Sequence, residues 1–416
     1  MKRIMLRFAA AALAAAVCLC VFAFADKGSD DGQAANSTQE SSTVSEKTYS
    51  AVKRTDDGEQ EMRAVWLPFM SLQLTEDERS REGFEKKISS VLDRCRDHGA
   101  NTVIVHVRPF GDAVYPSSYY PWSHILTGEQ GKALPFDPLE LIVSASHSRG
   151  LAVHAWINPL RISTGRTPEK LSDDNPYIKW KGEGSQDDFF EYKDGIYYDP
   201  SSPRVRRLIT DGVRELVGNY EIDGVQIDDY FYPEEFTSHD ELMYKKYVSS
   251  VSEGCRALTI EEWRRNNVNM LVAGLYDAVH GGKREVVFGI SPQCNFENNE
   301  KISADIKSWC TLSGYADYIC PQIYVTDEHP VFPFGELLDK WRKTVSNSNI
   351  RLYIGLGLYK AGTEADDGTW LGSNDNLAKQ ICTLREKGAN GFMLYSYDYL
   401  DKPETEQELK NLLDVL

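Results

Sequence analysis

Basic charge is scarce in this chain, and the scarcity removes whole classes of partner. Lys and Arg number 46 against 63 Asp and Glu, giving a formal net charge of −17. So acidic a surface repels phosphate backbones and anionic headgroups, which argues against nucleic acid and anionic lipid surfaces as partners. Cysteine and histidine are also sparse, eight of each. No CxxC occurs and no histidine sits at zinc-finger spacing, so no structural zinc site is expected. Cys95, Cys255, Cys294, Cys310, Cys320 and Cys382 read mainly as buried thiols, with some pairing open in an oxidising compartment. A glycine-rich phosphate turn after the first strand-like run is missing, which removes the main signal for an open dinucleotide-binding sheet. No cofactor is implied.

At 416 residues the chain can hold two or three domains or one large α/β barrel. Residues 1–25 carry Lys2, Arg3 and Arg7, an Ala-rich apolar run and a closing Ala23-Phe24-Ala25. This pattern is a secretory signal peptide. Retention as a single membrane anchor ranks second. Lipidation at Cys18 or Cys20 ranks third, because Val17 and Leu19 are large where a small residue should precede the cysteine. The protein is therefore expected to be secreted or held at the extracellular face of the membrane. Residues 26–60 are polar and poor in large apolar side chains, too little to offset chain entropy, and read as a disordered tether.

Residues 61–416 alternate short β-rich runs with longer amphipathic ones. Strands are expected at Met62–Phe69, Asn101–Pro109, Leu151–Pro159, Ile222–Pro233, Glu285–Gln293, Tyr318–Val325, Arg351–Tyr359 and Gly391–Asp398. Between them lie helical stretches such as Arg81–His98, Pro138–Arg149, Pro203–Tyr220 and a long region Ser238–His280 broken near Gly254. Eight strands and eight helical segments in strict alternation predict a (β/α)8 TIM barrel, with an open doubly wound sheet as the rival.

Strand parity then predicts a site. Val103, Val105 and Val107 alternate with Ile104, His106 and Arg108, and Val153, Ala155 and Ile157 with His154, Trp156 and Asn158. In IDGVQIDDYFYP, Val225 and Ile227 alternate with Gln226 and Asp228, and Asp229 follows where the strand gives way to an aromatic turn. The polar faces should converge on the barrel axis, their C-terminal ends forming the mouth where barrel enzymes act. Arg108, Asn158, Asp228, Gln293, Gln322 and Tyr324 are thus expected in one pocket. Asp112, Tyr115, Tyr119, Trp122, His124, Asp199, Tyr230, Phe231 and Tyr232 are supplied by loops, and aromatics around polar groups suit stacking on sugar rings. Plainer readings stand beside these: His106 and His154 as satisfied core groups, Arg108 as an ion-pair partner, and the Asp pair as one buried acid and one solvated one.

The motifs VRPFGDAVYPSSYYPWSHILTGEQGK, FDPLELIVSASHSRGLAVHAWINPLRI, YYDPSSPRVRRLITDGVRELVGNYEIDGVQIDDYFYP and DYICPQIY resemble the glycosyl-hydrolase-like family 10 proteins of bacteria. The resemblance runs from Met62 to the last strand. It implies an exported or envelope-bound glycoside-hydrolase barrel acting on glycan, in particular bacterial cell-wall glycan. Matching positions are Arg108, Asp112, Asn158, Asp228, Asp229, Gln322 and Tyr324. After the fifth strand SPQC stands where Ser-Pro-Phe-Gly is expected, at the pocket wall near Gln293.

The expected chemistry is hydrolysis of a glycosidic bond by two carboxyl groups, one a protonated acid and the other a nucleophile or base. Asp228 is the first choice for nucleophile or base and Asp229 the second. No strand ends in glutamate, so the general acid falls to Asp112 or to Asp398. Arg108, Asn158, Trp156, His106, Gln293, Gln322, Tyr324, Tyr230 and Asp398 are the candidate substrate-binding residues. Two other classes remain: a metal-dependent glycan hydrolase or deacetylase using His106, His154 and Asp228, and a glycan-binding protein without activity. Oligomeric state is not encoded in any feature of the sequence.

Overall fold

The computed structural model describes residues 60–165, 167–282 and 285–416; the expected signal peptide and all but the last residue of the tether lie outside the described residues. Eight parallel strands close into a barrel: β1 (Met62–Leu67), β2 (Thr102–Arg108), β3 (Ala152–Ile157), β7 (Gly224–Ile227), β8 (Val287–Ile290), β9 (Tyr318–Ile319), β10 (Arg351–Leu356) and β11 (Gly391–Leu394). They follow one another around the axis in chain order, β11 pairing back onto β1 with Met62 opposite Gly391 and Val65 opposite Leu394. Helices cover the outside. Pro203–Asn219 begins with Ser202 accepting from Val205 N–H and Pro203 in the first turn, where a missing N–H costs nothing.

The expected parity holds along the barrel strands up to the end of β2, where the register shifts between His106 and Arg108. Val103, Val105, Val107, Val153, Ala155, Ile157, Val225, Ile227, Phe288 and Ile290 pack outward into the layer shared with the helices. Ala64, Trp66, Ile104, Trp156, Tyr318, Cys320 and Met393 form a separate cluster on the barrel axis. The two faces of each strand therefore have different jobs, and the axial face leads to the mouth.

The long helical region is broken around Gly254 as expected, into Ser238–Ser250 and Ile260–His280, the second restarted by a capping box in which Thr259 and Glu262 satisfy each other's backbone N–H. Two features differ from the sequence reading. First, an antiparallel sheet of β4 (Arg161–Thr164), β5 (Phe189–Tyr192) and β6 (Gly195–Tyr198) is inserted between β3 and its helix, in the order β4-β6-β5. Second, β9 ends at Ile319 because Pro321 has no N–H to donate to a ladder. Pairing resumes at Gln322, whose N–H reaches the carbonyl of Pro292 at 3.0 Å, while Gly355 N–H reaches that of Pro321 at 2.9 Å. None of the six cysteines among the described residues is bridged.

The axis is filled to the point where glycine is required. A Cβ at Gly289 would stand 1.9 Å from Cζ of Tyr318, a ring that is 1% exposed and has nowhere to retreat. Gly289→Ala is expected to destabilise the barrel at the upper end of the about 1–3 kcal/mol typical of core overpacking. Thermal unfolding checks it; a Tm equal to the parent's would show that the axial packing is looser than the structure has it.

Candidate active site

The strand β7 ends at Ile227, and the residue just inside it, Gln226, ties the axis together below the mouth. Its Oε1 accepts from Trp66 Nε1 at 2.6 Å and its Nε2 donates to the Tyr318 hydroxyl at 3.2 Å. Asp228 and Asp229 come next and are 8% and 4% exposed. They sit in the floor of an open pocket of ≈ 460 Å³ that is also lined by Trp66, Pro68, Phe69, His106, Trp156, Arg161, Tyr230, Ser291, Gln322, Tyr324 and Tyr395.

Asp228 is built as an anion. Its Oδ2 accepts from Asn158 Nδ2 at 2.6 Å and from Trp156 Nε1 at 3.2 Å. The Asn158 amide is itself oriented, because its Oδ1 accepts from Arg161 Nη2 at 2.9 Å and meets His106 Nε2 at 2.8 Å. An amide oxygen only accepts, so His106 carries its proton on Nε2. Burial, and after it the charge of Arg161, holds the imidazole neutral by lowering its pKa well below 6.5. The ring stacks flat on Trp156, centroids 3.5 Å apart and planes 9° from parallel.

Asp229 is built as an acid. Its one side-chain donor is Gln322 Nε2 at 3.1 Å, and that nitrogen is shared with the Ser291 carbonyl at 3.0 Å. Burial raises Asp229 from 3.8 to about 8, with the charge of Asp228 adding to it and the Gln322 hydrogen bond opposing. Burial also raises Asp228, to about 6, against the charge of Arg161 and the hydrogen bonds from Asn158 and Trp156. Near neutrality the pair thus carries about one proton, the arrangement that like charges in a dry site enforce.

Of the sequence candidates, His106, Trp156, Asp228, Asp229, Tyr230, Gln322 and Tyr324 line the pocket, and Asn158 lies directly behind Asp228. Four lie elsewhere. Arg108 is displaced by a register shift between His106 and Arg108 in the β2–β3 pairing, and its guanidinium rests 4.6 Å from the centroid of the Tyr120 ring. Asp112, fully buried, accepts from His124 Nδ1 at 2.8 Å and Gln130 Nε2 at 2.9 Å, so it organises the loop after β2. Gln293 pairs with Gln322 through an isolated bridge and takes no part in the wall. Asp398 accepts from Ser71 Oγ at 2.8 Å in the helical turn Tyr397–Tyr399, outside the lining.

The loop residues expected at the mouth divide in the same way. Phe231 packs on Trp309, Tyr232 lies under Arg264, and Asp199 pairs with His239, none of them in the lining. His154 is a core group, its Nδ1 2.9 Å from the Tyr318 hydroxyl. His106, His154 and Asp228 do not cluster as a ligand set, and no group of three or more His, Cys, Asp or Glu suited to a metal ion occurs among the described residues.

The pocket also holds Ser291, on the inward face that parity gives the fifth strand, and residues that sequence reasoning passed over: Arg161, Trp66, Pro68, Phe69 and Tyr395. The signal for Arg161 was present in WINPLRI, three residues beyond Asn158 at the end of the third strand. Trp66 was readable from parity on β1, being one residue off the outward Val65.

A closed (β/α)8 barrel with two buried carboxyls at its C-terminal mouth is the place where barrel enzymes carry their active sites. The chain belongs to the Glycosyl hydrolase-like 10 family, whose sequence pattern matches residues 61–371. It is 35% identical over 370 residues to "Glycosyl hydrolase YngK" of Bacillus subtilis strain 168, covering 83% of this chain and 69% of that protein. It is 31% identical over 396 residues to "Glycosyl hydrolase DigH" of Escherichia coli strain K12, covering 86% of this chain and 88% of that protein. Among solved structures, the PgaB (BpsB) glycoside hydrolase domain from Bordetella bronchiseptica superposes with a TM-score of 0.56 at 14% identity, over 85% of this chain and 99% of that one, a likeness of fold.

The acid pair makes stability depend on pH with a definite sign. Both folded-state pKa values lie above the unfolded value of 3.8, so the native state binds more protons than the unfolded one between about 4 and 8. Stability must then fall as pH rises through that window. The Tm difference between Asp229→Asn and the parent is expected to grow from pH 4 to pH 8 in favour of the variant. A difference independent of pH would mean that Asp229 ionises as an ordinary carboxylate.

Proposed function

We propose that this protein hydrolyses O-glycosidic bonds of a bacterial glycan, with peptide-free cell-wall glycan strands as the substrate. The observation that carries the reading is the carboxyl pair, one member surrounded by donors and the other by almost none. Two acids pushed apart in this way are what glycoside hydrolysis asks of a site. Asp229 is the general acid for the leaving oxygen, a role that leaves Asp112 and Asp398 to the loops they hold. Asp228 is the anion that answers charge developing at the anomeric centre. Trp66, Phe69, Trp156, Tyr230, Tyr324 and Tyr395 offer flat faces to sugar rings, and Arg161 and Gln322 offer donors to hydroxyls.

Family membership and the names of the two relatives support the reaction class; the choice of cell-wall glycan rests on the motif resemblance. The leader in residues 1–25 supports action outside the cytoplasm, the protein secreted or anchored at the extracellular face of the membrane.

Incubation with purified peptide-free cell-wall glycan is expected to release shorter oligosaccharides, visible by mass analysis. Asp228→Asn should lower turnover by about 100-fold or more, the scale of losing a positioned catalytic group. Its Tm should not fall, since an amide is isosteric and Asn158 still finds an oxygen acceptor. Retained turnover would remove Asp228 from the mechanism, and strand binding with no new reducing ends would make the protein a glycan-binding one. Fractionation of the producing cells, with this protein in the cytoplasm, would sink the export reading.

A further inference from the structure

We infer that the nucleophile of this site is supplied by the substrate: the 2-acetamido group of the sugar being cleaved, with Asp228 positioning its N–H and Asp229 protonating the leaving oxygen. The inference rests on the hydrolase reading above and names the substrate group that does the attacking.

The lining of the pocket decides where a nucleophile can come from. Asp228 and Asp229 are its two acidic side chains, and they are neighbours in the chain. Hydrolysis by two carboxyls of the protein needs them facing each other across the bond, about 5–5.5 Å apart for retention or about 6.5–9.5 Å for inversion. A second strand end would have to bring the opposing acid, and none does among the described residues. The nearest candidates by sequence, Asp112 and Asp398, are bonded to His124 and Gln130 and to Ser71 respectively, outside the lining. A site with both acids on one wall lacks a protein nucleophile for the opposite face of the sugar.

Adjacent acids suit a different division of labour. Consecutive Cα atoms are about 3.8 Å apart, which matches two targets on neighbouring atoms of one sugar: the oxygen leaving C1 and the nitrogen on C2. Both donors to Asp228, Asn158 Nδ2 and Trp156 Nε1, converge on Oδ2, so Oδ1 is the oxygen left to accept from an amide N–H. The contiguous rings of Trp66, Tyr395 and Tyr324, with centroids 6.0 Å and 5.9 Å apart in turn, give an apolar wall for the acetamide methyl. The raised pKa of Asp229 agrees with its part as proton donor.

In the first step the acetamide carbonyl oxygen attacks C1, the bond from C1 to the leaving oxygen breaks, and that oxygen takes the Asp229 proton. The amide N–H, made acidic as the oxazoline ring closes, is held by Asp228. In the second step water attacks C1 and gives its proton to the Asp229 carboxylate, the ring C1–O bond breaks, and the acetamide is restored. Two inversions leave the anomeric configuration unchanged, and the sum is one water consumed per bond cut.

The test varies the substrate, so folding of variants does not enter. Peptide-free cell-wall glycan strands are de-N-acetylated and re-acylated with acetyl, monofluoroacetyl, difluoroacetyl or trifluoroacetyl groups, which changes the nucleophilicity of the carbonyl oxygen far more than its size. The expected result is a graded fall in kcat along the series, reaching about 100-fold or more at trifluoroacetyl, the scale of losing a participating group, with products of retained configuration by NMR. Equal rates across the series, an inverted product, or a covalent glycosyl ester on Asp228 after treatment with a 2-deoxy-2-fluoro glycoside would overturn the inference and leave the hydrolase reading intact. Failure to cut strands of any acylation would overturn both.

Discussion

The buried Asp228 is favoured as an anion by the charge of Arg161 and by hydrogen bonds from Trp156 Nε1 and Asn158 Nδ2, the shorter of them the 2.6 Å contact from Asn158. That bond exists only while the amide faces the right way, and the amide has two ends. Arg161 and His106 both occupy the oxygen end, so turning it over would set the amide's N–H₂ against two donors while its oxygen faced a carboxylate. The neutrality of His106 matters here, because a charged imidazole stacked on Trp156 and beside Arg161 would add a second buried cation. Removing any member of the chain leaves a polar group in the interior without its partner, which costs about 1–3 kcal/mol or more when charge is involved.

Beneath this assembly a second polar chain crosses the axis. Trp66 on β1 donates to Gln226 on β7, Gln226 donates to the Tyr318 hydroxyl on β9, and that hydroxyl meets His154 Nδ1 on β3. Tyr318 accepts from Gln226, so its own proton goes to His154, whose pKa burial lowers to about 4. Four strands are thereby held in register by side chains that take no part in the pocket's chemistry, except Trp66, which does both. Fully satisfied networks of this kind specify a single packing, and Gly289 and Gly224 exist to let the Tyr318 and His154 rings lie across the strands.

The barrel was legible because its signal is repeated on strand after strand: outward aliphatics alternating with inward polar and aromatic residues. The Asp228–Asp229 pair and Asn158 were legible for the same reason. What parity could not foresee was any departure from it. The register shift after His106 takes Arg108 out of the axial series, and Pro321 interrupts β9 without changing which way Gln322 points. Asp112 and Asp398 failed as acids for a different reason, since sequence gives no count of the donors a carboxylate already has. The β4-β6-β5 sheet was invisible because its strands, four residues each, fall in a stretch with no sustained period. Arg161 entered the site with it.

The rim of the pocket divides between residues that act on the acids and rings that shape it. Along the β3–β7 seam Arg161, Asn158 and Trp156 oppose the burial that raises Asp228, while Asp229 answers chiefly to its own burial and to the charge of Asp228. Fit is set by rings from β1, β11 and the turns after β7 and β9. The stretch after β8, Ser291-Pro292-Gln293-Cys294, contributes to the lining through Ser291, and it reaches the acids through backbone: the Ser291 carbonyl fixes Gln322 Nε2, which in turn reaches Asp229. A carbonyl presents the same oxygen whatever follows two residues on. Gln293 and Cys294 themselves stand clear of the lining, so what this stretch does to Asp229 through hydrogen bonds passes through the Ser291 carbonyl and Gln322.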